Sequence, residues 1–130
     1  MTLFKQLFSK KTTESKQENR TNPWIALTSI AQISAVKKAS KMAPVAIFKH
    51  STRCVISRTV LKSFEKKVNN KTTNTAFYYV DLLNYRDVSN ELSTVFDVVH
   101  QSPQLLLIDN EKLVSHASHD AILELPLNIF

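Results

Sequence analysis

The segment VAIFKHSTRCVISRTVLKSF (45–64) changes periodicity partway along. Val45, Ala46, Ile47 and Phe48 form a short unbroken apolar run after Pro44, and their β-branched and aromatic content predicts a buried strand. Val60, Leu61, Phe64 and Val68 then recur at helical intervals and predict a helix. Ser51, Thr52, Arg53 and Cys54 lie between the two, so the only cysteine of the chain falls in a strand-to-helix turn.

That position suits nucleophilic chemistry. The thiolate is the reactive form of cysteine, and the unpaired amides of a helix start carry partial positive charge that favours an anion. Arg53, Arg58 and Lys49 add positive charge, and Ser57 can contribute a hydroxyl, so these four are the candidate thiolate-stabilising residues around a catalytic Cys54. The alternative is an inert, buried cysteine acting as a small hydrophobe. The polar approach from Lys49 to Arg53 argues against it. In a Cys-x-x-Cys motif a second thiol resolves a mixed disulfide from within. Here Ser57 takes that place and no other cysteine exists, so the resolving thiol must come from another molecule.

Outward from this segment the alternation continues. Trp24, Ile25 and Leu27 predict a short strand, and Ser29 with Gln32 has capping-box spacing ahead of a helix striped by Ile30, Ile33 and Val36. FYYV (77–80) predicts a second buried strand, and Asp87 is positioned to cap a helix carrying Val88, Leu92, Val95 and Phe96. After Pro103 come LLLI (105–108), a turn at Asp109 and Asn110, and then Leu113 and Val114, a hairpin signal. A short terminal helix is expected from Ser118 to Asp120, ending before Pro126. Crossover units followed by a hairpin predict a mixed sheet with helices on both faces, an α/β/α domain over residues 23–130.

Composition removes several functions. The chain has no glycine, where ordinary usage would supply about nine, so phosphate-cradling loops and dinucleotide fingerprints are excluded. Left-handed backbone must fall to Asn or Asp, with Asn69, Asn70, Asn74, Asp109 and Asn110 as candidates. Of the net charge of +6, half lies in residues 1–20, where five basic residues face two acidic ones. Residues 1–22 therefore read as a flexible basic arm, with Leu3, Phe4, Leu7 and Phe8 on one face of a possible short helix, rather than as a nucleic-acid surface with aromatic platforms. The start MTLFKQLFSKK (1–11) lacks the apolar core of a secretory signal, and no run approaches the roughly 18 apolar residues of a membrane span. A lone cysteine fits the same expectation of a cytoplasmic protein.

Three blocks, IFKHSTRCVIS (47–57), FYYVDLLNYRDVSNEL (77–92) and HQSPQLLLI (100–108) followed by SHASH (115–119), resemble in that order the monothiol bacilliredoxins, thioredoxin-like proteins of the bacillithiol system. The resemblance covers most of residues 23–120 and implies a thioredoxin-like three-layer fold with a cis Ser102–Pro103 bond opposite Cys54. It implies an oxidoreductase that removes bacillithiol, a cysteine–glucosamine–malate thiol, from mixed disulfides of client proteins. Bacillithiol would then be a co-substrate, with no bound cofactor. Backbone groups at Ser102 and Pro103 would pair with an extended client segment. Lys49, Arg53 and Arg86 are candidates for the malate carboxylates, and by analogy with glutaredoxins Ser118 and Asp120 would grip the small thiol. One departure is Val55, where the family usually carries Pro after the cysteine, a position that bears on rate and potential.

Two other functional classes stay open on the residues alone. A single-cysteine thioredoxin-like protein can bridge an iron–sulfur cluster between two copies, although bulky Val55 and Ile56 replace the small loop that monothiol glutaredoxins use. A non-catalytic binding module would not need Cys54 at all. His50, Cys54, His116 and His119 suggest a metal site only weakly, since one thiol cannot supply the usual paired cysteines, and no metal is expected.

Overall fold

From residue 24 the chain runs β1 (Ile25–Ala26), α1 (Ala31–Ala39), β2 (Val45–His50), α2 (Val55–Asn69), β3 (Ala76–Asp81), α3 (Arg86–Phe96), β4 (Gln104–Asp109) and β5 (Lys112–Ser118), then two 3₁₀ turns, His119–Glu124 and Leu127–Ile129. The computed structural model describes residues 24–69 and 74–130, so the expected basic arm, like Asn70, lies outside the described residues.

The apolar run beginning at Val45 is the middle strand of five, in the order β1-β3-β2-β4-β5. All six residues of β2 are buried, as a strand paired on both edges and covered on both faces requires. It pairs in parallel with β3 (Ile47 beside Tyr78) and antiparallel with β4 (Ile47 beside Leu106). The β4–β5 hairpin completes the mixed sheet predicted from the hairpin signal.

Side-chain alternation divides the core in two. Val45 and Ile47 pack with Ile33 and Val36 of α1 and with Val88, Leu92 and Phe96 of α3. Ala46 and Phe48, on the other face, pack with Val60, Phe64 and Val68 of α2 and with Ile122. Each fully buried large apolar side chain contributes about 1.5–3 kcal/mol, so both helix layers are held by burial rather than by helix propensity. Trp24 joins the second face through ring contacts with Phe77 at 5.4 Å and Phe48 at 5.9 Å. Its indole N–H donates to Glu65 Oε2 at 2.7 Å, tying the start of the described chain to α2.

Several local expectations change in detail. Gln32 Oε1 reaches back to accept from the backbone N–H groups of Thr28 (2.8 Å) and Ser29 (3.0 Å), which is one half of the capping box. The Ser29 hydroxyl turns to the same oxygen instead of capping an amide. Asp87 lies inside the first turn of α3, and Asp81 organises the approach: its carbonyl accepts from Tyr85 N–H and its Oδ1 from Leu83 N–H. The terminal helix forms as a 3₁₀ turn that starts after Ser118 and stops at Leu125, before Pro126.

Among the described residues, left-handed backbone occurs at Asp97, Asn110, Glu111 and His119. Of the positions expected, only Asn110 is among them. Asn69 is the last residue of α2, and the hairpin loop is Asn110–Glu111, one residue later than read from sequence. The buried Ser40 holds that loop, its carbonyl accepting from Asn110 N–H and its Oγ from Glu111 N–H. Asp97 closes α3 at the position where glycine is the usual occupant.

Candidate active site

Cys54 is a free, half-buried cysteine immediately before α2. Its N–H donates to the Ser51 carbonyl at 3.2 Å, closing the turn, and its own carbonyl accepts from Arg58 N–H at 3.0 Å, opening the helical ladder. The thiol therefore stands at the N-terminal end of a 15-residue helix, where backbone amides lack helical acceptors. Val55 and Ile56 follow it into solvent, 65% and 59% exposed, and form an apolar rim beside the sulfur.

Beneath the turn is a buried polar anchor. Ser57 is fully buried, its Oγ accepting from Ser51 N–H at 3.1 Å and lying 2.8 Å from His50 Nδ1. His50 is 7% exposed, at the end of β2 and beside Asp81 of β3. Burial lowers its pKa below 6.5, outweighing the opposing pull of the Asp81 and Glu65 carboxylates, while Arg58 adds to the lowering. The spacing of Cys54 and Ser57 is legible in sequence, but the His50 partner is not, because it comes from the preceding strand.

The sheet register brings the other predicted segments to the same end. Gln104 pairs with Lys49 on one side and with Ser118 on the other. Ser102 and the buried Pro103, joined by a cis peptide bond as expected, therefore lie alongside the end of β2 from which the turn leads to Cys54. The Pro103 carbonyl accepts from His119 N–H at 2.9 Å, which ties the Ser118–Asp120 corner to the proline loop. These segments gather at the C-terminal ends of the parallel strands β2 and β3, where α/β sheets commonly bind ligands.

Not every candidate is brought to the thiol. Lys49 is the main correction. It is fully buried, and its Nζ donates to the Ser89 carbonyl (3.3 Å) and Ser93 Oγ (2.9 Å) on α3. Period-two alternation sends Lys49 to the α3 side of β2, whereas His50 and Phe48 face the α2 side, so the ammonium lies on the wrong face to stabilise Cys54 or to receive a ligand there. Desolvation lowers its pKa from 10.5 to about 8. Ser57 directs its hydroxyl to His50 and Ser51. Arg58 donates from Nη1 to the Thr52 carbonyl at 3.1 Å and so braces the turn. Arg53 is exposed within that turn. Arg86, at the start of α3, faces His100, with Nη1 3.5 Å from Nε2. Ser118 ends β5 half-buried, and Asp120 is exposed in the following 3₁₀ turn.

Sequence reasoning missed the cluster this creates on the α3 side. His100 Nδ1 lies 3.2 Å from Ser89 Oγ and 3.5 Å from Lys49 Nζ. Burial, then Lys49, then Arg86 lower its pKa below 6.5. A lysine at the end of an apolar strand was the available signal, but its rotation toward α3 follows only from the register.

A groove of about 450 Å³ opens along α2, lined by His50, Val55, Arg58, Thr59, Leu61, Lys62 and Glu65. Among the described residues no three His, Cys, Asp or Glu side chains form a group able to hold a metal ion, and no helix is long and apolar enough to cross a membrane.

The architecture is similar to solved thioredoxins. A structure described provisionally as an oxidoreductase with a thioredoxin fold superposes with a TM-score of 0.66 at 29% identity, covering 77% of this chain and 89% of that one. Thioredoxin from Trypanosoma brucei brucei gives 0.66 at 17% identity (82% and 87% covered), and thioredoxin f from spinach chloroplast gives 0.62 at 15% identity (85% and 88% covered). These establish a thioredoxin-like α/β/α fold, which many redox families share. The choice among those families comes from the model described as monothiol bacilliredoxin BrxC, which matches residues 25–127: the chain belongs to the monothiol bacilliredoxin family.

Proposed function

We propose that this protein is a monothiol thiol–disulfide oxidoreductase of the cytoplasm that removes bacillithiol from mixed disulfides on client proteins. The observation that carries the reading is the single thiol at the free N-terminal end of α2, beside the cis-proline loop, with a buried serine where an internal resolving thiol would stand. The Cys54 thiolate attacks the bacillithiol sulfur of the mixed disulfide. A Cys54–bacillithiol disulfide forms, the sulfur–sulfur bond between bacillithiol and the client breaks, and the client leaves as a thiolate that takes up a proton from water. A second bacillithiol thiolate attacks the adduct, releasing Cys54 and forming bacillithiol disulfide, so each turnover transfers two electrons.

The site's own residues fit these steps. Helix-start amides favour the attacking and leaving thiolate, the exposed Val55 and Ile56 offer apolar surface to a client, and the backbone groups of Ser102, held by the cis bond to Pro103, suit an extended client segment.

The test is to incubate a bacillithiolated client with the protein and follow both by mass spectrometry. The expected outcome is a transient one-bacillithiol adduct on Cys54, release of free client thiol, and no release with Cys54→Ser. No adduct and no client release with either the wild type or Cys54→Ser would assign the fold a non-catalytic role. Iron and sulfide bound after anaerobic purification, without adduct formation, would favour cluster carriage.

A further inference from the structure

Cys54, Arg58 and Lys62 are spaced four residues apart, so they share one face of α2, with Arg58 about 6 Å and Lys62 about 12 Å along the axis from Cys54. Long side chains on a helix lean toward its N-terminus, and Arg58 does so here, since its Nη1 reaches back to the Thr52 carbonyl. Both cations line the 450 Å³ groove, whose wall begins at Val55, the residue that follows Cys54 in the chain. That volume is in the range of small-ligand sites. Val55 and Leu61 give it apolar wall, and His50 lines it from the end of β2. At the far end Glu65 is oriented by Trp24, whose indole N–H donates to Oε2. Read outward from the thiol, the groove presents two cations and then one fixed carboxylate.

Building on the proposed redox chemistry, we propose that this groove is the binding site for the low-molecular-weight thiol carried on Cys54, with Arg58 and Lys62 receiving its carboxylates. The ligand class is a small thiol with carboxylate groups roughly one to two helical turns from its sulfur and with hydroxyl or amine donors that reach Glu65. The assignment moves specificity from Lys49, which is turned away, to Arg58 and Lys62. Arg58 and Lys62 act as specificity-determining residues and do not take part in the sulfur exchange itself.

The full chain and its Lys62→Gln, Arg58→Gln and double variants would be reacted with two disulfides, oxidised bacillithiol, which bears carboxylates, and uncharged 2-hydroxyethyl disulfide. Second-order rates of Cys54 adduct formation would be read by mass spectrometry. Both side chains are exposed, and circular dichroism checks that the variants fold. The expected result is a loss of roughly three- to tenfold per substitution with oxidised bacillithiol, with the Lys62→Gln rate toward hydroxyethyl disulfide staying within about twofold of the wild type. Equal losses with both disulfides would overturn the groove assignment, because the cations would then act through the thiolate. Unchanged rates with both would also overturn it. Unaltered small-disulfide rates with impaired release from a bacillithiolated client would assign the groove to the client protein instead. A wild-type chain inert toward both disulfides would overturn the redox reading itself.

Discussion

Two side chains at the end of β2 behave in opposite ways because they point to opposite faces. His50 supports the turn that carries Cys54: with Ser51 N–H it converges on Ser57 Oγ. Removing that oxygen by Ser57→Ala leaves a buried amide and a ring nitrogen without partners, a loss of about 1–3 kcal/mol that urea denaturation would report. Lys49 carries a buried ammonium whose pKa falls from 10.5 to about 8. Between pH 8 and 10.5 the unfolded chain retains a proton that the folded chain has released, so this residue makes stability rise with pH across that window. Below pH 8 its cost to the fold is fully present. The urea midpoint of the wild type, minus that of Lys49→Met, is therefore expected to increase from pH 8 to pH 10. A flat difference would show that the lysine keeps its ordinary pKa. Cys54 and Ser57 were legible as a pair at the residue scale because their spacing is local. The orientation of Lys49 was not, because sequence composition does not say which face of β2 each helix covers.

Among elements, the β4–β5 hairpin shows how a chain without glycine makes a tight turn. Asn110 and Glu111 both adopt positive φ, 54° and 71°, the signature of a type I′ turn. Asparagine tolerates this conformation, whereas glutamate pays a steric penalty that the Ser40 bonds to both loop amides offset. Glu111→Gly creates the favoured Asn-Gly sequence. It is expected to raise stability by about 0.5–1 kcal/mol, seen as a higher thermal midpoint, even though the exposed 3.5 Å ion pair with Lys41 is lost. A lower midpoint would mean that the ion pair matters more than the backbone. The hairpin itself was readable from Asp109 and Asn110 between apolar runs. Its register was displaced by one residue because the deciding contact comes from Ser40, the residue that caps the C-terminal end of α1. The half-formed capping box at Ser29 and Gln32 has a similar cause, since the Gln32 oxygen collects both neighbouring amides and leaves no role for the hydroxyl.

Across the whole molecule, the position of the thiol depends on how firmly α2 is held to the sheet. Phe64 is buried at the centre of that contact, with ring contacts to Phe48 at 6.1 Å, Trp24 at 6.3 Å and Phe130 at 5.4 Å. Phe64→Ala is expected to cost about 3–5 kcal/mol in denaturant unfolding and to loosen α2 as a unit, so that Cys54 alkylation loses its native rate under conditions where the wild type keeps it. Unchanged stability would show that the aromatic cluster is redundant. The sequence by itself determined the alternation of strands and helices, the hairpin ending, the site of the lone thiol and the serine three residues after it. Each of these depends on periodicity, local spacing or counting, which adjacent residues carry. Tertiary structure alone decided that Lys49 faces α3, that His50 holds Ser57, that His119 at the end of β5 bonds to the proline loop, and that a groove follows Arg58 and Lys62. Those relations join residues distant in the chain through strand register and through the face each helix covers, and neither is encoded in any short window.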